Sequence, residues 1–273
     1  QEYNCKRLDL SNGWKIKKGD NKEWSSLSYD DSKWDNVRTR EYWENPKYKK
    51  FLRAAWYRLK VKIPSSLKGL NAKNYGFSVL LGKIDDEDIT YFNGERIGES
   101  KGHEVNRCYY IPEDKIKWDA ENLIAVRVIN QGGNGGFFMG PYLLKANNIT
   151  DILDLLYHGE LIYLDKSSLS KRINGIFTLR ARNNIHVKGR IEWKVIETEN
   201  NKSIVEGSDY TEFSDSTKYN FSFVPCAESS YRLYLKFIDA VTGDTVCSSP
   251  LIAYYPKYIP NRIINQVVKP KIN

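Results

Sequence analysis

Residues Ala54 to Ile63 read AAWYRLKVKI, and polar and apolar side chains alternate along the second half of the run until Pro64 ends it. A period of two puts successive side chains on opposite faces of a pleated backbone, so the pattern predicts a half-buried strand. Tyr75 to Leu81 (YGFSVLL) predicts a second strand and Ile89 to Phe92 a third, with Asn93-Gly94 directly after it. Both of those residues tolerate positive φ, which makes the pair a strong short signal for a tight hairpin. Leu123 to Ile129 (LIAVRVI) is almost continuously apolar and predicts a central strand, followed by Gly132, Gly133, Gly135 and Gly136, where the backbone is free to turn sharply. Long helical periodicity is absent.

A second group of strands follows Asn147-Asn148. Ile152 to Tyr157 (ILDLLY) fits a short helix as well as a strand, and the pattern leaves both open. Gly175–Arg182, Arg190–Thr198, Tyr219–Val224, Tyr231–Phe237 and Val246–Tyr255 then recur at the spacing of an all-β sandwich, with Thr242-Gly243-Asp244 as the last hairpin turn. Trp193 falls mid-strand, where an immunoglobulin-like sandwich buries an aromatic, and Tyr231 opens a late strand as a tyrosine corner does. The cysteine pair that links the sheets of antibody domains is missing, so the expectation is the broader immunoglobulin-like class. The expected organisation is all-β: one β-sandwich over residues 1–148, an immunoglobulin-like sandwich over 149–258, and a basic tail or linker over 259–273.

Composition narrows the partners. The 273 residues carry 42 Lys+Arg against 34 Asp+Glu, a net charge of +8. The cations are scattered, the one tight run being Lys47, Lys49 and Lys50 around Tyr48, so nucleic acid is not an expected partner. No apolar run approaches the ~20 residues that span a bilayer. Aromatic residues are abundant (7 Trp, 19 Tyr, 10 Phe), which suits sandwich cores and equally suits sugar-stacking surfaces. The chain opens Gln1-Glu2-Tyr3, and Cys5, Cys108, Cys226 and Cys247 are widely spaced. Both features fit an exported protein, periplasmic, at a cell surface or extracellular, with Cys226–Cys247 the favoured disulfide; four free thiols fit as well.

Chemical motifs were weighed against plainer readings. Gly98-Glu99-Ser100-Lys101-Gly102 matches G-x-S-x-G, but a nucleophile elbow needs a helix after the serine, and Pro112 with the strand pattern at Arg107–Ile111 denies one. His103-Glu104 begins H-E-x-x-H, yet Arg107 occupies the fifth position, where a second zinc-ligating His belongs. The acidic run Asp85, Asp86, Glu87, Asp88 fails as an EF-hand, because Tyr91 and Ile97 stand where Gly and Glu belong. No cofactor is required; Asp85, Asp86 and Asp88 remain able to place carboxylates on a structural calcium, and the plainer reading is an acidic turn held by local hydrogen bonds. Trp14, Trp34 and Trp56 are assigned to the core. Trp43-Glu44 sits in a loop with Pro46 and Tyr48, where an exposed indole stacks on a sugar ring while the carboxylate accepts from hydroxyls; the plainer reading is a Trp covering one end of the sandwich.

The most specific signal is an ordered series of phrases. Trp14-Lys15, Gly19-Asp20, Trp24, Asp30-Asp31-Ser32-Lys33-Trp34, Trp43-Glu44, Trp56-Tyr57-Arg58 and Ile63-Pro64 lead to Leu81-Gly82-Lys83-Ile84-Asp85-Asp86-Glu87-Asp88. Thr90-Tyr91-Phe92-Asn93-Gly94, Ile97-Gly98, Arg107, Tyr109, Ile111-Pro112, Glu121-Asn122, Ala125-Val126-Arg127-Val128 and Gly140-Pro141 continue it. This series resembles the sugar-binding, galactose-binding-domain-like jelly roll of glycoside hydrolase family 2, and it is similar to the jelly roll within bacterial sialate O-acetylesterases. In such enzymes the jelly roll is an accessory module, and the chemistry belongs to a further domain. In family 2 that domain is a (β/α)₈ barrel with two carboxylates, for which this chain has no room.

The resemblance therefore implies a non-catalytic carbohydrate-binding module of an exported glycan-degrading system, with a glycan as its ligand. The ligand-contacting residues expected from loops and strand ends are Trp43, Glu44, Asp86, Asn93 and Arg107. The alternative is a glycoside hydrolase or carbohydrate esterase whose catalytic domain lies outside this chain, on a partner or beyond the basic tail.

Overall fold

The computed structural model describes residues 7–39, 51–69, 74–133 and 135–256. The chain divides into two compact units, Gln1–Asn148 and Ile149–Asn273. Both are built from strands, as the alternating patterns predict. Among the described residues no helix is long and apolar enough to cross a membrane.

In the first unit one sheet orders β1 (Arg7–Asp9), β10 (Gly136–Ala146), β5 (Phe77–Asp85) and β8 (Asn106–Ile111). The other orders β3 (Asp35–Asn36), β2 (Lys15–Lys18), β4 (Ala54–Lys62), β9 (Glu121–Ile129), β6 (Glu87–Phe92) and β7 (Glu95–Lys101). The core holds Val79 and Leu81 from β5, Ile124, Val126 and Val128 from β9, and Phe137 from β10, all fully buried. Phe137 stacks on Tyr57 with 4.3 Å between ring centroids and meets the edge of Trp14 at 5.1 Å. Trp14, Trp34 and Trp56 are all buried, in agreement with their assignment to the core.

The continuous apolar run of β9 has a structural cause. Ile124, Val126 and Val128 face the main core, while Leu123 and Ala125 face a second cluster with Trp24, Trp34, Trp56 and Tyr91. A strand covered on both faces has no polar side to alternate with. The segment that covers the second face is pinned from below by Arg58 on β4. Its Nε donates to Asp31 Oδ2 at 2.9 Å, and its Nη atoms donate to the carbonyls of Trp24, Ser26 and Tyr29.

In the second unit a three-stranded sheet, β11 (Leu153–His158), β13 (Ile173–Ala181) and β16 (Ser216–Phe223), faces a larger one. That sheet orders β12 (Ile162–Tyr163), β19 (Leu251–Tyr254), β17 (Tyr231–Asp239), β14 (Val187–Glu197) and β15 (Lys202–Phe213), with β18 (Thr245–Ser248) also paired to β17. Every pairing in it is antiparallel except β12 with β19. The unit is an all-β sandwich. Trp193 packs on Phe177 and Tyr219 of the facing sheet at 5.6 and 5.4 Å. The hydroxyl of Tyr231 accepts from the N–H groups of Cys226 and Ala227 at 3.1 and 3.2 Å, which closes a tyrosine corner.

Three local differences from the sequence reading have clear causes. The ambiguous segment at 152–157 is both elements in succession, a helical turn at Ile149–Ile152 running into β11. Lys202–Phe213 is a long strand that the pattern did not suggest, because it lies at the sheet edge and most of its side chains are exposed. The Cys226–Cys247 disulfide is not formed: Cys108, Cys226 and Cys247 are free. Cys226 is held at the Tyr231 end of β17, whereas Cys247 pairs with Lys236. Five residues of strand separate the two ends by roughly 17 Å, far beyond disulfide reach.

Candidate functional site

The residues that gather chemistry lie where β5 passes into β6. β5 ends at Asp85, which pairs with Gly136 on β10, and the N–H of Asp86 donates to the carbonyl of Ile129 at the end of β9. His103 sits on the turn between β7 and β8, and its imidazole folds back over this corner. One ligand atom from each of Asp85, Asp86 and His103 lies within 4.8 Å of the others. The Gln131 N–H donates to Asp86 Oδ2 at 2.8 Å, and the Gln131 side chain donates to Glu87 at 2.6 Å. The glycine-bearing loop after β9 therefore forms one wall of the corner.

The two carboxyls are electrostatically distinct. Burial, then a hydrogen bond shared with Asp86 and repulsion from its charge, pushes Asp85 up to about 6. Burial also works against ionisation of Asp86, but the hydrogen bond from Asp85 and the N–H groups of Gln131 and Gly132 outweigh it and bring Asp86 below the usual range. The pair thus holds one proton between an acid and a carboxylate at mildly acidic pH. A proton donor beside an acceptor, with an imidazole over both, suits the hydroxyl pairs of a sugar.

Beneath the corner lies a closed polar network. The Asp88 carboxylate accepts from Arg107 Nε at 2.9 Å, from the Tyr109 hydroxyl at 2.8 Å and from Thr90 Oγ1 at 2.8 Å. Arg107 also donates to the carbonyls of Gly102 at 2.8 Å, Val105 at 2.6 Å and Asp86 at 2.9 Å. Its guanidinium ties the turn bearing His103 to the turn bearing Asp86. Gly98 makes room for this network: a Cβ there would come within 2.1 Å of the Tyr109 ring.

These positions sort the residues expected from sequence. Asp85 and Asp86 are brought together at the corner. Arg107 is only 1% exposed and its donors are taken by protein acceptors, so it positions the corner and does not present itself to a ligand. Asp88 is equally buried and fully engaged, which removes it from the metal set Asp85, Asp86 and Asp88. Asn93 lies at the opposite end of β6 with φ 49°. Its amide donates to Asn122 at 2.9 Å and its carbonyl oxygen accepts from the Leu123 N–H at 2.9 Å, so its side chain holds the hairpin. Trp43 and Glu44 lie outside the described residues. His103 was missed; in sequence only the failed H-E-x-x-H pattern drew attention to it, and the pairing of β8 with β5, Asn106 opposite Lys83, is what returns it to Asp85.

As a metal site the corner offers two carboxylates and an imidazole. Calcium takes six to eight oxygen ligands, and an imidazole nitrogen suits the borderline divalent metals better. With Asp88 withdrawn and the Asp86 carbonyl already accepting from Arg107, the oxygen donors present do not fit calcium well. The G-x-S-x-G serine stands on a strand, with Ser100 Oγ 2.9 Å from the Tyr109 hydroxyl, and the strand β8 follows it.

No known family profile and no curated protein matches the chain. Solved structures do share its fold. A β-glucuronidase of Bacteroides uniformis superposes with a TM-score of 0.53 at 15% identity, over 90% of this chain and 32% of that one. A glycosyl hydrolase family 2 member from Bacteroides cellulosilyticus gives 0.51 at 17% identity, over 90% and 36%. A β-galactosidase-like protein of Bacteroides fragilis, whose activity is itself inferred, gives 0.52 at 15% identity, over 89% and 40%. The chain thus spans between about a third and two fifths of the length of these larger chains, and what it shares with that part of each is its all-β sandwich fold.

Proposed function

We propose that this chain is a non-catalytic carbohydrate-binding accessory module of an exported bacterial glycan-degrading system. The observation that carries the reading is the extent of the structural match. Nine tenths of this chain corresponds to a minor part of glycoside hydrolases, and large enzymes of that kind divide binding and chemistry among domains. The corner of Asp85, Asp86 and His103 supports it from the site itself, since a proton donor, a carboxylate and an imidazole converge at an accessible sandwich end. Trp43 and Glu44, from the loop preceding β4, would add a stacking platform and a second acceptor. Sugar binding on this reading needs no calcium.

A glycan-binding screen on the intact chain, with and without calcium and repeated on Asp86→Ala and Trp43→Ala, tests the reading. Binding that is lost in a variant still folded by circular dichroism supports it. A blank screen overturns it. The second reading treats the chain as the binding part of a glycoside hydrolase or carbohydrate esterase whose catalytic residues lie on another domain or chain, and the same partial match favours it. Turnover of aryl glycosides or acetylated sugars by this chain together with such a domain, and not without it, is the outcome that reading requires.

A further inference from the structure

The outer face of the larger sheet in the second unit carries a groove of about 810 Å³, apart from the corner described above. Its floor is β14 and β17, bounded by β15 on one side and β18 on the other. The face is polar and exposed, yet its charge is not balanced. Arg190 and Glu192 pair with each other at 3.3 Å. Lys194 stands opposite Tyr234 on β17 and Glu206 on β15, and Lys236 stands opposite Glu192, so the two lysines are diagonal neighbours; among the described residues neither forms an ion pair. The Lys194 ammonium lies 5.9 Å from the Tyr234 ring centroid. Ser208 and Ser249 flank the groove with hydroxyls, and Glu206 gives the β15 rim an acceptor.

We infer that this groove binds an acidic oligosaccharide, a chain of sugars bearing carboxylates, with Tyr234 as stacking platform and Lys194 and Lys236 as carboxylate partners. The inference deepens the carbohydrate-binding reading and rests on it. The lining sets Arg190, Lys194 and Lys236 against Glu192 and Glu206, and this excess of cations beside an exposed aromatic matches a ligand that offers an anion and an apolar ring face together. The volume lies within the range of small-ligand sites, ~300–1,000 Å³. A peptide is the poorer occupant on geometric grounds. β14 and β17 are hydrogen-bonded along both edges, so the floor has no free backbone ladder to extend, and recognition falls to side chains alone.

Isothermal titration of the intact chain with a uronic-acid tetrasaccharide and with a neutral tetrasaccharide of the same linkage tests this. Wild type should bind the uronate more tightly than the neutral sugar and lose affinity as salt rises, because exposed ion pairs are screened. Tyr234→Ala and Lys236→Glu should each raise the Kd roughly tenfold or more, as truncation of an anchor residue does. Both side chains are exposed on the outer face, so circular dichroism should show the fold retained. Lys218→Ala, exposed on the facing three-stranded sheet and away from the groove, should leave uronate binding unaltered. Uronate binding that survives both groove changes overturns the groove and leaves the carbohydrate-binding reading standing. Equal affinity for the neutral sugar overturns the acidic ligand class. Absence of binding to either sugar or to any glycan in a broad screen overturns both readings.

Discussion

Arg107 Nε donates to Asp88 Oδ1 at 2.9 Å, and neither side chain is accessible to solvent. The pair sits directly under Asp85 and Asp86, and Arg107 spends its remaining donors on carbonyls of the two turns that form the corner. A buried ion pair of this kind is weak evidence for net stability but strong evidence for a fixed geometry, because removing one partner strands the other. Arg107→Met should therefore destabilise the first unit by ~3–5 kcal/mol, read as a shift in the urea midpoint at unchanged slope. A midpoint shift within ~0.5 kcal/mol of wild type would show that the network does not hold the corner.

The Asp85–Asp86 pair predicts a pH dependence with a definite sign. Asp85 is raised to about 6, above the usual carboxylate range, so its protonated form is favoured by folding. Its stabilising contribution is complete below its unfolded pKa and is lost as pH rises through about 6. The melting temperature of wild type minus that of Asp85→Asn should thus fall between pH 4.5 and pH 7.5. A flat or rising difference contradicts the shared proton.

Tyr231→Phe should cost ~1–3 kcal/mol, because the N–H groups of Cys226 and Ala227 lose their common acceptor. Thermal denaturation of the variant checks this, and an unchanged melting temperature would mean that water replaces the hydroxyl without loss.

Gly98→Ala should destabilise by ~1–3 kcal/mol through overpacking against the Tyr109 ring. It should also weaken any ligand contact at the corner, since Tyr109 is one of the donors that orient Asp88. Retention of wild-type stability would show that the ring moves aside freely.

On the proposed carbohydrate-binding reading, chelation should leave the fold and glycan binding unchanged. With Asp88 sealed by Arg107, Tyr109 and Thr90, the carboxylates left at the corner are few for calcium. A rise in melting temperature on adding millimolar calcium to the chelated chain, absent in Asp86→Asn, would contradict this.

Much of the fold was legible in the sequence. The strands with an apolar face, such as β4, β9, β13 and β17, were visible because burial imposes a period of two or, where both faces are covered, a continuous run. β15 was not, because an exposed edge strand has no reason to be patterned. The candidate site was only half legible. The acidic run announced Asp85 and Asp86, but a sequence does not say which carboxylate in a run is buried, and Asp88 faces inward to Arg107. Arg107 and Asn93 carry the residue types of a binding site and are consumed by the scaffold. His103 reaches the corner through strand register, to which composition and spacing are blind.

The central claim is that this chain binds carbohydrate, with Asp85, Asp86 and His103 forming one contact surface. The most direct measurement is titration of wild type and of Asp86→Asn with His103→Ala against the tightest neutral ligand found in a broad glycan screen. The account predicts saturable binding to wild type at a sugar-dependent affinity, weakened about tenfold or more in a variant that keeps its circular dichroism spectrum. Absence of any glycan binding by the folded wild-type chain would contradict it.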